Sequence, residues 1–420
     1  MTVPDRRALP HFVHLPRSWA AVGPAPAAPS ASALTPAQRW MSLAAIIAAG
    51  FGVGIAFGIG APLTAITFEA WHQPNWLIGV AGAVPSLAVL CVLPFGPGLA
   101  SKMGAVTAIV SGCLLTAAGF LALYFFQSPE AWLFIRFLMC ASLALPWLVG
   151  ETWMNAASLS ETRGRVIALY AISFFLGFAA GPLILEFTGI VGFWPFFAGA
   201  AGAVLACIPI LIAGQYAPDV TQEDDTVSIW QAARLAPLGM AGGFLSGVVE
   251  MSYFSLLANV GLAAGLEASS ALRLVALLTI GGSFLQFGVG WLTDIVGRVQ
   301  ILVGLCVAFI ALTCALPWAL STPLVASVSA FILGGVVLGF YTVGLTIIGD
   351  SVTTRDLTSA NAAFLVLYQV GGMAGPTVAG AAMSVAPIGG FVIALSAVVG
   401  MGMLAILFFT RSVNGRGHLL

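Results

Sequence analysis

The chain has 420 residues, of which 60% are hydrophobic and 7% charged, with a mean hydropathy of +1.06. A soluble domain carries about 25% charged residues, so this composition excludes a soluble globular chain and requires a polytopic membrane protein in contact with a lipid bilayer. A net charge of -1, with 14 Lys and Arg scattered singly, makes no basic patch and gives no reason to expect a nucleic-acid partner.

In chain order, residues 1–38 hold Pro4, Pro10, Pro16, Pro24, Pro26, Pro29 and Pro36 among Ala and Ser. With no apolar h-region and no helical period, they read as a disordered tail rather than a signal peptide. About 20 apolar residues cross a bilayer, and the breakers and charges divide the rest of the chain into twelve spans: 40–64, 75–96, 104–125, 131–155, 165–187, 192–213, 237–262, 270–292, 299–320, 323–349, 360–383 and 387–410. The all-α chain then has five regions: the tail, a six-helix bundle over 39–213, a linker over 214–236, a second six-helix bundle over 237–410 and a short tail over 411–420. The linker contains the most polar stretch, QYAPDVTQEDDTVS at 215–228.

If the first tail is cytoplasmic, twelve of the 14 Lys and Arg fall on the cytoplasmic side and only Arg136 and Arg273 lie near the other face. This positive-inside bias predicts that both termini and the linker are cytoplasmic. Cys91, Cys113, Cys140, Cys207, Cys306 and Cys314 lie in apolar runs without a CxxC pair and read as small core residues. His11, His14, His72 and His418 do not cluster. Neither a metal site nor a cofactor is expected.

The two bundles repeat. KMGAVTAIVSGC aligns with IVGRVQILVGLC, pairing Gly104 with Gly297 and Cys113 with Cys306 at an offset of 193, and GFAAGP aligns with GGMAGP at an offset of 194. GETW faces GDSV at an offset of 199, which one loop insertion would explain. A duplication with an even number of helices per half predicts parallel bundles about an axis along the membrane normal, with a pathway between them.

GWLTDIVGR at 290–298 resembles the Gly-x-x-x-Asp-x-x-Gly-Arg loop signature of the major facilitator superfamily, GFAAGP is similar to that family's span-five motif, and Arg136 in LFIRFLMCAS resembles its span-four arginine. The resemblance runs from about residue 40 to 410. GETWMN followed by SETRGRVIALY further resembles a bacterial branch with an acidic-x-Trp-x-Asn end to span four. The first loop signature departs from the pattern, with Ser101 and Ala105 in place of its acid and arginine. Leu183, Ile184 and Leu185 replace the trailing glycines of the span-five motif, which weakens an inference of antiport. The resemblance implies a secondary transporter working by alternating access, without enzymatic chemistry.

Gly177, Gly181 and Pro182, with Gly371, Gly375 and Pro376, offer small-residue ridges and helix bending. Asp294, Arg298 and Asp350 lie on one face of the membrane, and an acid at a helix C-terminus needs a cation to offset the dipole. Glu151 occupies the matching place in the first half, with Lys102 available. These five residues read as a conformational latch.

Glu250 and Arg136 do not repeat: the corresponding positions are Ala56 and Ala330. Residues that fold both halves recur, whereas residues that serve an asymmetric solute need not. Glu250 is therefore expected in the central cavity, exchanging a proton, while Arg136 either joins it or snorkels to the outer surface. Trp147, Tyr170, Phe174, Tyr253, Gln286, Tyr341, Tyr368 and Gln369 supply rings and amides at similar depth. Such a lining suits a neutral, flat, hydroxylated solute. The resemblance and this lining together point to a monomeric importer of a small organic molecule such as riboflavin. No ATP-binding motif is present, so an ion or solute gradient is expected to supply the energy, with a proton on Glu250 as the candidate. A drug or sugar exporter, or a sensor or scaffold that does not transport, are the other readings.

Overall fold

Thr35 opens the first helix with a capping box. Its Oγ1 accepts from the Gln38 backbone N–H at 3.3 Å, Gln38 Oε1 accepts from the Thr35 N–H at 2.9 Å, and Pro36 fills the first helical position. The computed structural model describes residues 34–159, 162–218, 229–352 and 356–417. Residues 1–33 of the expected N-terminal tail (1–38) and residues 219–228 of the expected linker (214–236) lie outside them.

Fourteen α-helices are present among the described residues: α1 (Pro36–Ala70), α2 (Asn75–Val92), α3 (Gly96–Met103), α4 (Ala105–Phe125), α5 (Pro129–Ala157), α6 (Arg163–Thr188), α7 (Trp194–Ala213), α8 (Ile229–Leu235), α9 (Pro237–Ala263), α10 (Ala268–Val296), α11 (Arg298–Ala319), α12 (Pro323–Ser351), α13 (Leu357–Met383) and α14 (Pro387–Gly417). All but α3 and α8 are long and apolar enough to cross a membrane. The protein is an all-α membrane protein of twelve spans in two six-helix bundles.

Several boundaries differ from the sequence reading, among them the ends of α1 at Ala70 rather than 64 and of α10 at Val296 rather than 292. α1 starts at Pro36 rather than 40 because of its capping box. α2 ends at Val92, after which Pro97 starts the separate helix α3. α14 runs on to Gly417 instead of ending at 410, and α8 lies inside the expected linker.

Glycines set the spacing within each bundle. A side chain on Gly177 of α6 would run into the Phe51 carbonyl of α1, and one on Gly371 of α13 would run into the Phe244 carbonyl of α9. The same device thus brings equivalent helix pairs together in both halves. α6 and α13 continue unbroken through Pro182 and Pro376. Gly104 (φ 78°) and Gly297 (φ 103°) cap α4 and α11 from the same left-handed conformation, which only glycine adopts at little cost.

Between the halves, α2 packs on α13, α6 on α10 and α1 on α9. Leu115, Leu211, Ile212, Ile393 and Leu404 are exposed on the outer faces. That surface belongs in hydrocarbon, where every backbone group must be satisfied within its own helix.

Candidate functional site

Glu250 stands at the middle of α9 and is only 4% exposed. Ser246, one turn earlier on the same face, donates its hydroxyl to Glu250 Oε1 at 2.5 Å, and the Tyr368 hydroxyl of α13 donates to Oε2 at 2.9 Å. Tyr368 reaches the acid because Gly247 leaves the α13 backbone free to approach: a side chain there would strike the Tyr368 carbonyl. Both oxygens are held by neutral hydroxyls, and among the described residues no basic group pairs with Glu250. Proton exchange at this carboxyl therefore changes the charge of a buried site.

A ring cluster surrounds the acid. Tyr341 of α12 meets Tyr368 edge to face with centroids 5.4 Å apart and meets Phe364 at 5.1 Å. In the other half, Trp147 Nε1 donates to Glu151 Oε1 at 2.9 Å along α5, and the Tyr170 hydroxyl of α6 lies beside Gly150. Glu151 and Glu250 are both near enough to act electrostatically on Tyr341. Tyr341 is thus within electrostatic reach of one acid from each half. Neither the Tyr170 nor the Tyr341 hydroxyl has a hydrogen-bond partner among the described residues, which leaves both free for a solute.

This placement corrects the expected partnership of Glu151 with Lys102. Glu151 lies six residues inside the end of α5, about 9 Å deep at 1.5 Å per residue, whereas Lys102 is exposed on α3 at loop level. Among the described residues no ion pair joins them. The alignment of GETW with GDSV at an offset of 199 misled here, since Asp350 is only one residue from the end of α12. At that level the Arg298 guanidinium pairs with the Asp350 carboxylate and donates to the Thr346 carbonyl at 3.0 Å. Asp294 falls on α10, but its side chain lies outside the described residues.

The remaining candidates divide. Phe174 is partly buried, 6.1 Å from the Phe57 ring, and Gln286 is partly exposed on α10. Gln369 is buried at 3% exposure. Tyr253 is not a cavity residue: three positions after Glu250 it turns into the core of the second half, bonded to Thr313 at 2.8 Å and packed on Phe309 and Phe391. Arg136 is 4% exposed and does not snorkel outward. It lies about two turns from the opposite end of α5, against Gly60 of α1.

Twelve crossings put α1's start and α14's end on one face, and the pathway is shut at the other. Asn75 Nδ2 donates to the Met383 carbonyl at 3.1 Å, the Trp76 N–H donates to Ser384 Oγ at 3.0 Å, and Arg273 pairs with Glu186. Asn259 Nδ2 donates to the Ala65 carbonyl and to Glu69 Oε2, each at 3.1 Å. All of these contacts between the halves lie at this far end. Sequence reasoning missed this gate. One signal could have found part of it: Asn259 and Ala65 are 194 positions apart, the repeat offset itself, and equivalent residues meet where they lie on the axis that relates the halves.

The sequence model of the Major Facilitator Superfamily matches residues 73–376. The chain belongs to this superfamily. Among its relatives, an uncharacterised MFS-type transporter of Enterobacter sp. strain 638 is 25% identical over 311 residues, 73% of this chain and 79% of the relative. The uncharacterised MFS-type transporter YfkF of Bacillus subtilis strain 168 is 24% identical over 336 residues, 78% and 85% of the two chains. A crystal structure of a bacterial homolog of the human lysosomal transporter Spinster, inward-facing and unoccupied, aligns with a TM-score of 0.67 at 15% identity, covering 90% of this chain and 95% of that one. The nucleoside transporter NupG aligns with a TM-score of 0.71 at 13% identity, covering 88% and 98%. This major facilitator is thus a multi-pass membrane transporter of small solutes, with the family's two-bundle fold.

Proposed function

We propose that this transporter moves an uncharged, flat, hydroxylated solute into the cell together with a proton, and that Glu250 carries the proton. The observation behind this reading is a buried carboxyl held by Ser246 and Tyr368, with no cation pairing with it among the described residues and with Tyr341 packed on Tyr368. Glu151, bonded to Trp147, and Tyr170 are the matching polar groups of the other half. The rings offer faces for stacking, and the two free tyrosine hydroxyls offer partners for solute hydroxyls. Riboflavin fits this chemistry. A thermal-shift screen of the purified protein against flavins, nucleosides, sugars and cationic dyes tests it: a ligand at 100 times its dissociation constant stabilises by about 2.7 kcal/mol. Stabilisation by cationic dyes alone would replace the neutral solute with a drug-like one.

The termini and the linker are assigned to the cytoplasm of a bacterial inner membrane, with the far end facing outward. Thr221→Cys and Ser412→Cys, in a background where the exposed Cys91 and Cys314 are serine, should react with an impermeant thiol reagent only from inside. Labelling from intact cells would reverse the orientation.

The pair of Arg298 with Asp350 is assigned as a latch within the second half. Its side chains are 28% and 61% exposed, so it contributes no more than about 1 kcal/mol. Arg298→Ala is expected to slow transport several-fold while leaving solute affinity within about threefold, because the pair biases the balance between states and lies far from the acids. A large loss of equilibrium binding by the folded variant would place Arg298 at the solute.

A further inference from the structure

Arg136 is a cation taken out of water. It is 4% exposed, its Nε has no hydrogen-bond partner, and no carboxylate pairs with it among the described residues. The acids at its end of the molecule are committed or remote: Glu69 accepts from Asn259, Glu186 pairs with Arg273, and Glu130 and Glu267 are exposed. A buried charge without compensation costs several kcal/mol, so the fold keeps this arginine against a strong penalty. Its position is also defined, since a Cβ on Gly60 would lie 3.0 Å from the guanidinium carbon.

Beside the guanidinium is a small cavity of about 10 Å³, lined in the first half by Thr64, Ala65, Gly82 and Pro85 and in the second by Ser255. That volume is the space in which the centre of a water-sized sphere can move, so the cavity holds one particle somewhat larger than a water molecule. Thr64 spends its hydroxyl hydrogen on the Gly60 carbonyl at 2.8 Å. Ser255 has no such partner among the described residues and can donate into the cavity. A guanidinium has only donors. The cavity thus offers a positive charge from one half and a hydroxyl donor from the other, with no competing carboxylate.

We propose that this cavity is a binding site for one small monovalent anion of halide size, held between the two halves while the far end of the pathway is closed. A water molecule would accept a hydrogen bond but leave the charge uncompensated. A carboxylate on a solute shares the anion's chemistry but exceeds the space. An anion bound here bridges α5 and α9, so it favours the closed far end over the open one. The site is independent of Glu250 and of the solute.

The test is the unfolding midpoint of the purified full-length protein at constant ionic strength, with sodium chloride or bromide exchanged for sodium gluconate. Halide is expected to raise the midpoint saturably, by about 3 °C, and the rise should vanish in Arg136→Gln and shrink in Ser255→Ala. Should Arg136→Gln fail to fold, a Trp76→Cys/Ser384→Cys pair in the otherwise native protein reports closure directly, cross-linking faster in halide than in gluconate. Equal midpoints and equal cross-linking in the two salts would overturn the site. Stabilisation by acetate or formate, with none by halides, would also overturn it and reassign Arg136 to a carboxylate carried by the solute.

Discussion

Replacing Glu250 by Gln is expected to abolish uphill accumulation of the solute while sparing its binding and its exchange across the membrane. The amide keeps the volume of the acid and can still accept from Ser246 and Tyr368 but cannot exchange a proton. One proton entering down 100 mV carries about 2.3 kcal/mol, enough for an accumulation of about 50-fold, and that factor should fall to 1. The measurement is steady-state uptake of labelled solute in vesicles with an imposed proton gradient, beside counterflow without one. Wild-type accumulation with unchanged pH dependence would remove Glu250 from coupling. Glu250→Ala is a different experiment, because it leaves a void and two hydroxyls without their acceptor, and reduced expression is its expected result.

Gly380→Val should hold the far end open without unfolding the protein. A Cβ at Gly380 would lie 2.6 Å from the Asn75 carbonyl oxygen and 2.6 Å from the Gly79 Cα, both on α2 of the other half. Overpacking of this kind costs about 1–3 kcal/mol, and here parting the halves relieves it. The closed population should then drop about 10- to 100-fold, stopping net transport. Cross-linking of the Trp76→Cys/Ser384→Cys pair should fall in proportion, with a monodisperse protein of normal yield. Gly371→Val is the contrast. Its clash with the Phe244 carbonyl lies inside the second half, where no motion between halves relieves it, so loss of folded protein is expected. Normal cross-linking in Gly380→Val would show that the two surfaces do not close on each other as the structure has them.

Much of this architecture was legible in the chain because a bilayer leaves few choices. Every backbone group in hydrocarbon must bond within its own segment, so length, hydropathy and breakers locate helices without knowledge of their neighbours. The repeat of Gly104 with Gly297 and of GFAAGP with GGMAGP exposed the two halves, and those glycines do perform equivalent tasks, as left-handed caps and as contacts for a neighbouring helix. The burial of Glu250 followed from its place in α9, and Arg298 and Asp350 meet as their loop positions suggested.

What the sequence could not decide was direction around each helix axis and depth along it. Tyr253 is three residues from Glu250, yet it enters the core of the second half while Glu250 meets Tyr368. Glu151 looked like the partner of a loop lysine until the length of α5 placed it a turn and a half inside the membrane, bonded to Trp147. Arg136 was a choice between snorkelling and the Glu250 site, and the approach of α1 at Gly60 put it at neither, enclosing it beside a separate small cavity between the halves. The far-end contacts join residues such as Asn75 and Met383 that are 308 positions apart, and no local pattern encodes them. Helix formation in a membrane is settled within each segment by its own hydrogen bonds and apolar length. Which face of each helix meets which partner is settled by small-residue contacts between segments, so it exists only once the bundles have packed and the halves have closed.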